Sequence, residues 1–592
     1  MCAKKVDAVV IGAGWAGSIL AKELTEAGLS VVMLERGDER ATAVEGDYPT
    51  SIDELRGAIR HRLFQNMSKS TVTIRNTLDQ EALPYRRLAA FLPGEGVGGA
   101  GLHWSGVHFR VAPDDLALRT NVVARYGKSF IPEGMNLQDY GVTYEELEPF
   151  FDKAEKVFGT SGEPYTINGK VVGKGNRFAP DRSDAFPLPA MGDVYSASLF
   201  RTAAASVGYH PYALPAANAS AQYTNPYGAQ MGPCNFCGYC SGYDCYMYSK
   251  ASPNVNILPA LRQDSKFTLI TKAHVLKVNL DADKKKATGV TYLDLRTQKQ
   301  VELDADLVII SAFQFHNVHL MLLSGIGQPY DPKQNTGTVG RNFVYQTITT
   351  SRAWLSPKQY TNLFVGAGGA GVAIDDFNSM NFDHGPLGFV GGSPVWVNQA
   401  GVKPIAAAVG GPGGKAPTWG EGYKDAMVDT YRHSLTIDAH GSNMAYRDVY
   451  LDLDPTYTNA YGQPLLRMTF NWKENDIRMN QYVVGKIEPV IKAMGATRYS
   501  LGMLKDGEVF DTRRYQTTHL GGGAVMGTDP KTSCVNRYLQ SWDVSNVFVI
   551  GASAFPQGMG YNPTGMVAAL AYWAAYHIRT TYLKNPGPMV QA

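Results

Sequence analysis

Cysteine is scarce in this chain, six in 592 residues, so no disulfide framework organises a molecule of this size. Charge bias is missing as well. Lys and Arg number 55 against 53 Asp and Glu, a net charge of +2, which excludes the basic footprint of a nucleic-acid binder or a polybasic membrane-surface protein. There is no run of 18 apolar residues; the nearest, Met566 to Ile578, is too short to span a bilayer and runs into Arg579. The apolar segment starting at Val6 follows MCAKK directly, which leaves no room for the hydrophobic region of an export signal. The chain is therefore expected to carry no such signal of its own. No repeat period is visible, which argues against solenoids and propellers. Disorder is excluded by 44% hydrophobic residues.

What is present is glycine, 62 residues, with 32 prolines and 33 tyrosines, the mark of many tight turns and close backbone approaches. The length suits two or three domains, at roughly 150 residues or more each. Val6–Ile11 reads as a buried parallel strand, the SILAKELTEAGL segment as an amphipathic helix closed by Gly28, and Leu29–Leu34 as a second buried strand ending at Glu35. Residues 40–90 are mixed and read as helical. The 143–160 stretch opens with Thr143 and Glu146, a capping-box pair, and predicts an amphipathic helix. Strands are expected near 267–280, 288–295, 307–311 and 547–550, a helix through HNVHLMLLSG, and a buried helix from NPTG onward with Pro563 and Thr564 at its start. Residues 401–423, with seven glycines and three prolines, read as a long flexible loop.

Gly12, Gly14 and Gly17 fall between the first strand and the first helix, and Glu35 ends the next strand. In that context the glycines let a pyrophosphate approach a helix N-terminus, and the acid bonds a ribose 2′-OH. Glu35 also argues against a 2′-phosphate, leaving FAD or NAD; the spacing alone does not choose between them. A second glycine cluster, GEGVGGAGLHWSG, holds Gly98, Gly99 and His103. Four of the six cysteines, Cys234, Cys237, Cys240 and Cys245, lie in one loop as C-x2-C-x2-C-x4-C. Tandem short spacing lets a single loop wrap a compact iron–sulfur cluster better than it supplies the separated knuckles of a zinc site. Zinc, or disulfides and free thiols, are the alternatives.

Taken together, VVIGAGWAG with Glu35, GEGVGGAGLHW, LLSGIG at 322–327, VGRN at 339–342, THLGGGAVMG at 518–527 and NVFVIGASAFPQGMGYNPTGMVAAL at 546–570 resemble the glucose–methanol–choline (GMC) oxidoreductase family over essentially the full length. The resemblance implies an α/β fold: a Rossmann-like FAD-binding domain with an inserted substrate domain on an antiparallel sheet. The expected division is 1–115, 226–345 and 505–592 for the FAD-binding domain, and 116–225 with 346–504 for the substrate domain. It further implies FAD as cofactor, held by Gly12, Gly14, Gly17, Glu35, Gly98, Gly99 and Gly551 and attached covalently through His103. His519 matches the family's catalytic histidine and Asn562 its partner. A neutral His suits removal of a hydroxyl proton near pH 7, and Asn562 would hold the carbinol over the flavin.

Within the family the likeness is to sugar-acid and polyol dehydrogenases. That implies oxidation of D-gluconate to 2-keto-D-gluconate, with 2-ketogluconate, sorbitol or fructose as alternative substrates and a soluble oxidase as a further one. A non-catalytic flavin scaffold is the reading that His519 and Asn562 oppose. The same likeness implies a 3Fe-4S cluster on three of the four clustered cysteines, a cytochrome c subunit as electron acceptor, and a small subunit carrying the export signal. The complex would sit on the periplasmic side of the inner membrane, touching it only through a partner. A sugar acid also asks for a carboxylate clamp; Arg110, Arg432 and Arg447 are candidates that nothing in the sequence ranks.

Overall fold

The computed structural model describes residues 5–42, 48–58, 61–87, 91–515 and 517–589. Its first unit is the strand Val6–Ile11, the helix Trp15–Glu26 and the strand Val31–Leu34, as the hydrophobic pattern predicts. Those two strands are the centre of a parallel sheet in the order Phe267–Ile270, Val31–Leu34, Val6–Ile11, Lys299–Ile310 and Val547–Val549. Val31–Leu34, Val547–Val549, most of Val6–Ile11 and the Leu307–Ile310 end of the long strand are buried apolar runs, as strands covered on both faces are. Lys299–Ile310 has two roles. Its second half lies in the parallel sheet, while its first half pairs antiparallel with Ala287–Asp294, which pairs in turn with Ala273–Leu280.

A second sheet of six strands is antiparallel throughout, in the order Arg498–Ser500, Thr347–Trp354, Ser434–Gly441, Val395–Asn398, Gly371–Ile374 and Tyr212–Ala213. Side chains alternate between its faces. Leu435, Ile437, Ala439, Val395 and Val397 join a core with the helices Tyr195–Ser206 and Glu474–Ala493. The intervening residues Trp396, Asn398, Asp438 and His440 face a cavity instead.

The helix Tyr144–Phe158 has the expected capping box between Thr143 and Glu146, and the buried helix runs Thr564–Thr580. These two pack together, and Phe158 stacks on Trp15 at 3.8 Å, so the segment after residue 116 lies against the nucleotide-binding unit. Two expectations fail. Among the described residues of 40–90 there is no α-helix; Val72–Arg75 and Leu83–Tyr85 are strands that join Pro464–Thr469 and Tyr450–Thr458 in a four-stranded sheet. A β-branched run, TVTI, finding a partner strand nearly 400 residues away decides this, and local pattern cannot see it. The 401–423 loop instead holds a helix, Pro404–Gly410, started by Pro404, and the first turn of a second, Gly420–His433.

Candidate active site

The C-terminal ends of the parallel strands open on one cavity of about 690 Å³, lined by Ile11–Ala16, Leu34–Arg36, Ser311–Gln314 and Ile550–Ala552 among others. This is where open α/β sheets bind ligands. Gly12 has φ +99°, and a Cβ there would meet the Ser311 carbonyl at 2.7 Å; a Cβ on Gly17 would strike the Gly12 carbonyl at 2.0 Å. Gly14 has open space instead, on the side where a pyrophosphate would approach. Among the helices that start at the cavity with no side-chain cap are those at Gly14 and Pro563. Their free N–H groups and dipoles suit an anionic ligand at each end.

Glu35 lines the cavity and also braces it. Its Oε2 accepts from the Ala13 N–H at 3.1 Å and its Oε1 from the Gly37 N–H at 2.8 Å. The carboxylate retains lone pairs for a ribose hydroxyl, but its first task is to hold the glycine turn. Gly98 (φ +105°), Gly99 and the short turn they open carry His103 to the cavity wall. The His103 ring stands edge-on to Phe64 at 4.6 Å, and its buried Nε2 has no protein partner. Burial, aided by the Lys250 charge, lowers its pKa to about 3, so the imidazole is neutral.

At the other end His519 and Asn562 line the same cavity, and buried Asn562 Oδ1 has no protein partner. Burial lowers His519 to about 4. Its Nδ1 bonds Gln346 Oε1, an oxygen that can only accept. Gln346 is fixed that way round because its Nε2 donates to the Met559, Gly560 and Tyr561 carbonyls at 2.7, 2.9 and 3.3 Å. His519 therefore carries its proton on Nδ1 and presents Nε2 as a bare acceptor. His440, 5.6 Å from His519 between ring centroids and 4.0 Å from Trp396, extends this end with Asp438 and Asn398.

Residues 138–348 and 446–571 match the GMC oxidoreductase family, and residues 5–53 match an FAD binding domain. The gluconate 2-dehydrogenase flavoprotein of Pantoea cypripedii is 67% identical over all of this chain and 96% of its own length. The chain belongs to the GMC oxidoreductase family. It is an FAD-dependent oxidoreductase acting on CH–OH donors. More distant relatives are a 2-methyl-1,2-propanediol dehydrogenase of Mycolicibacterium austroafricanum, 26% identical over 97% of this chain and 95% of its own, and the fructose dehydrogenase large subunit of Gluconobacter japonicus, 24% over 96% and 97%. The crystal structure of pyridoxine 4-oxidase from Mesorbium loti shares the fold, with a TM-score of 0.57 at 16% identity over 98% of this chain and 99% of that one. The glycine turn, the two uncapped helix ends and the orphaned His103 Nε2 all fit the FAD that GMC members hold.

The four clustered thiols are unpaired and gathered in one loop, Cys240 and Cys245 buried and Cys234 and Cys237 half-buried. Their donor chemistry suits iron–sulfur. Among the described residues, however, no three His, Cys, Asp or Glu stand in a geometry that would hold a single metal ion. None of the three candidate arginines reaches the GMC cavity. Arg110 is buried against Glu155, Glu148 and Tyr144, Arg447 binds the Pro332 and Lys333 carbonyls, and Arg432 lies exposed. Among the described lining residues Arg36, beside Glu35, is the single Arg or Lys. No motif in the sequence singles out Gln346, His440 or Asp438. The i, i+2 spacing of Asp438 and His440 is a signal that would place them on one face of a strand, but nothing in the sequence marks which face is wet.

Proposed function

We propose that this chain oxidises a sugar acid, D-gluconate at C2 to 2-keto-D-gluconate, and passes the electrons through an iron–sulfur centre on the 234–245 loop to a cytochrome c subunit. The observation that carries the substrate is the 67% identity, end to end, to a protein named gluconate 2-dehydrogenase flavoprotein. FAD, when bound, supplies the acceptor for the hydride leaving the carbinol carbon. His519 Nε2 takes the hydroxyl proton, and the Nδ1–H to Gln346 bond steadies the imidazolium that forms. Asn562 hydrogen-bonds the same oxygen and fixes the angle of the C–H bond. His103 is the expected attachment point, because a neutral imidazole with an unused Nε2 is nucleophilic toward an electrophilic methyl carbon.

The partner reading has its own support. The helix Pro404–Gly410 buries none of its residues, Val409 and Trp419 are more than 80% exposed, and Lys403 ties this segment to the thiol loop by donating to the Cys237 carbonyl at 2.7 Å. An apolar surface of that kind next to the thiols suits a protein partner. A small subunit bringing the export signal and a periplasmic site follow from the same resemblance, and among the described residues no helix is long and apolar enough to cross a membrane. A neutral polyol is the second reading, favoured by the lack of Arg or Lys among the described residues at the His519 end of the cavity. Stopped-flow bleaching of the flavin by D-gluconate, 2-keto-D-gluconate, D-sorbitol, D-fructose and D-glucose at equal concentration separates the two. Gluconate should be fastest, with little electron flow to oxygen. A faster neutral polyol would move the assignment to the second reading, and rapid peroxide formation would overturn the dehydrogenase itself.

A further inference from the structure

Lys250 is completely buried, 0% exposed. Its ammonium donates to four backbone carbonyls: Leu102 at 3.0 Å and Trp104, Cys240 and Tyr243 at 2.7 Å each. The first two flank His103. The other two flank Ser241 and Gly242, which line the cavity from the thiol loop, and the Gly242 N–H donates to the His103 carbonyl at 2.7 Å. The Lys250 backbone N–H points to Cys245 Sγ at 3.4 Å. One side chain thus stitches the flavin-side loop to the cysteine loop.

Burial lowers the Lys250 pKa, and Asp244 acts on it only through space. Four carbonyl oxygens nevertheless ask for the three-proton form, since the lone pair of a neutral amine would face one of them. A buried cation without a bonded carboxylate costs several kcal/mol, and a wall needed only for shape is built more cheaply from neutral groups. The charge is felt at the cavity wall, where after burial it is the next influence holding His103 neutral.

We propose that Lys250 is a positioning residue that pins the His103 loop to the cysteine loop and keeps a fixed positive charge in the wall between them, favouring the reduced form of the bound flavin. A group that gains negative charge on reduction is stabilised by a cation held in a low-dielectric wall. The inference needs FAD in the cavity and is independent of which substrate is oxidised.

The test is anaerobic equilibration of the full FAD-loaded protein with redox dyes, read from the flavin spectrum. At a fixed potential, Lys250→Met should lower the ratio of reduced to oxidised flavin at least tenfold, about 30 mV for a two-electron couple. Asp244 is buried, its Oδ1 lacks a partner, and its charge opposes that of Lys250. Asp244→Asn should therefore move the ratio the other way. Near-UV circular dichroism establishes that each variant is folded. A folded Lys250→Met protein with an unchanged flavin ratio overturns the proposal. Should that variant not fold, an unchanged ratio in folded Asp244→Asn overturns it equally.

Discussion

Replacing Gln346 by leucine tests the geometry of proton removal more sharply than replacing the base. In the native site Gln346 Oε1 accepts from His519 Nδ1, and that bond fixes the tautomer with Nε2 bare. As the substrate proton arrives, His519 becomes cationic and the bond turns from neutral to charge-assisted, from about 1 to about 1.5–3 kcal/mol. An interaction that strengthens on the way to the transition state is one that accelerates the step. Loss of that gain of about 0.5–2 kcal/mol, together with a twofold choice of tautomer, should slow flavin reduction roughly 5- to 60-fold. Burial remains and still lowers the His519 pKa to about 4, so the base stays unprotonated above about pH 5 and the defect should be constant from pH 6 to 8. Stopped-flow bleaching at saturating gluconate reads the rate, and its concentration dependence reads binding, which should change little. His519→Ala alone should cost ~100-fold or more. On that background Gln346→Leu should add almost nothing, because the two act as one unit. Additive losses, or a slope with pH in the single variant, would refute the tautomer argument.

Acid-precipitated protein should stay yellow, whereas His103→Ala should release its flavin to the supernatant; free flavin from the unaltered protein would disprove the covalent link. Aerobically purified protein should contain about three irons per chain, and Cys240→Ser should stop electron flow to cytochrome while sparing flavin reduction; stoichiometric zinc without iron would rule out the cluster. Asp438 has its pKa raised to about 6 by burial, against the pull of the Thr350 hydrogen bond and Arg352. Below pH 6 its carboxyl is neutral, and above pH 6 it repels a substrate carboxylate, so the apparent Kd for gluconate should rise about five- to tenfold between pH 5 and 8. Sorbitol should show no such rise, and Asp438→Asn should flatten the gluconate curve; an equally steep curve in that variant would acquit Asp438.

The parts of this molecule that were legible in sequence are those whose cause is local. The strand–glycine–helix unit is written in consecutive residues, and Thr143 with Glu146 announces its own capping box. Parallel strands at Val6–Ile11, Leu307–Ile310 and Val547–Val549 betray themselves as apolar runs. The strand Val72–Arg75 does not, because it exists through its pairing with Pro464–Thr469. Spacing marks Glu35 as a candidate ribose ligand but is silent on the Ala13 and Gly37 N–H groups that turn back onto its carboxylate. Gln346 was invisible for the same reason. Its importance comes from contact with His519 and with three carbonyls more than 200 residues away.

The misplaced arginine clamp has a physical reason. A base whose pKa is already lowered to about 4 must become an imidazolium for the reaction to proceed. A guanidinium beside it would oppose that charge, and a nearby like charge costs a further one to three pKa units, about 1.4–4 kcal/mol on the barrier. Tight recognition of a carboxylate and easy acceptance of a proton are thus in conflict when both occur within a few ångströms, as they do when C2 is oxidised next to a C1 carboxylate. Under the proposed function, the conflict is resolved by keeping Arg36 at the Glu35 end, beside the strand Val31–Leu34, and lining the His519 end with His440, Asn398, Asn562 and a titratable Asp438. Neutral donors such as the Asn398 and Asn562 amides bind a carboxylate less tightly than arginine does, but they leave the imidazolium uncontested. On the proposed mechanism, orientation then falls to Asn562 and the Gln346-anchored His519, which would hold the reacting carbon without adding charge near it.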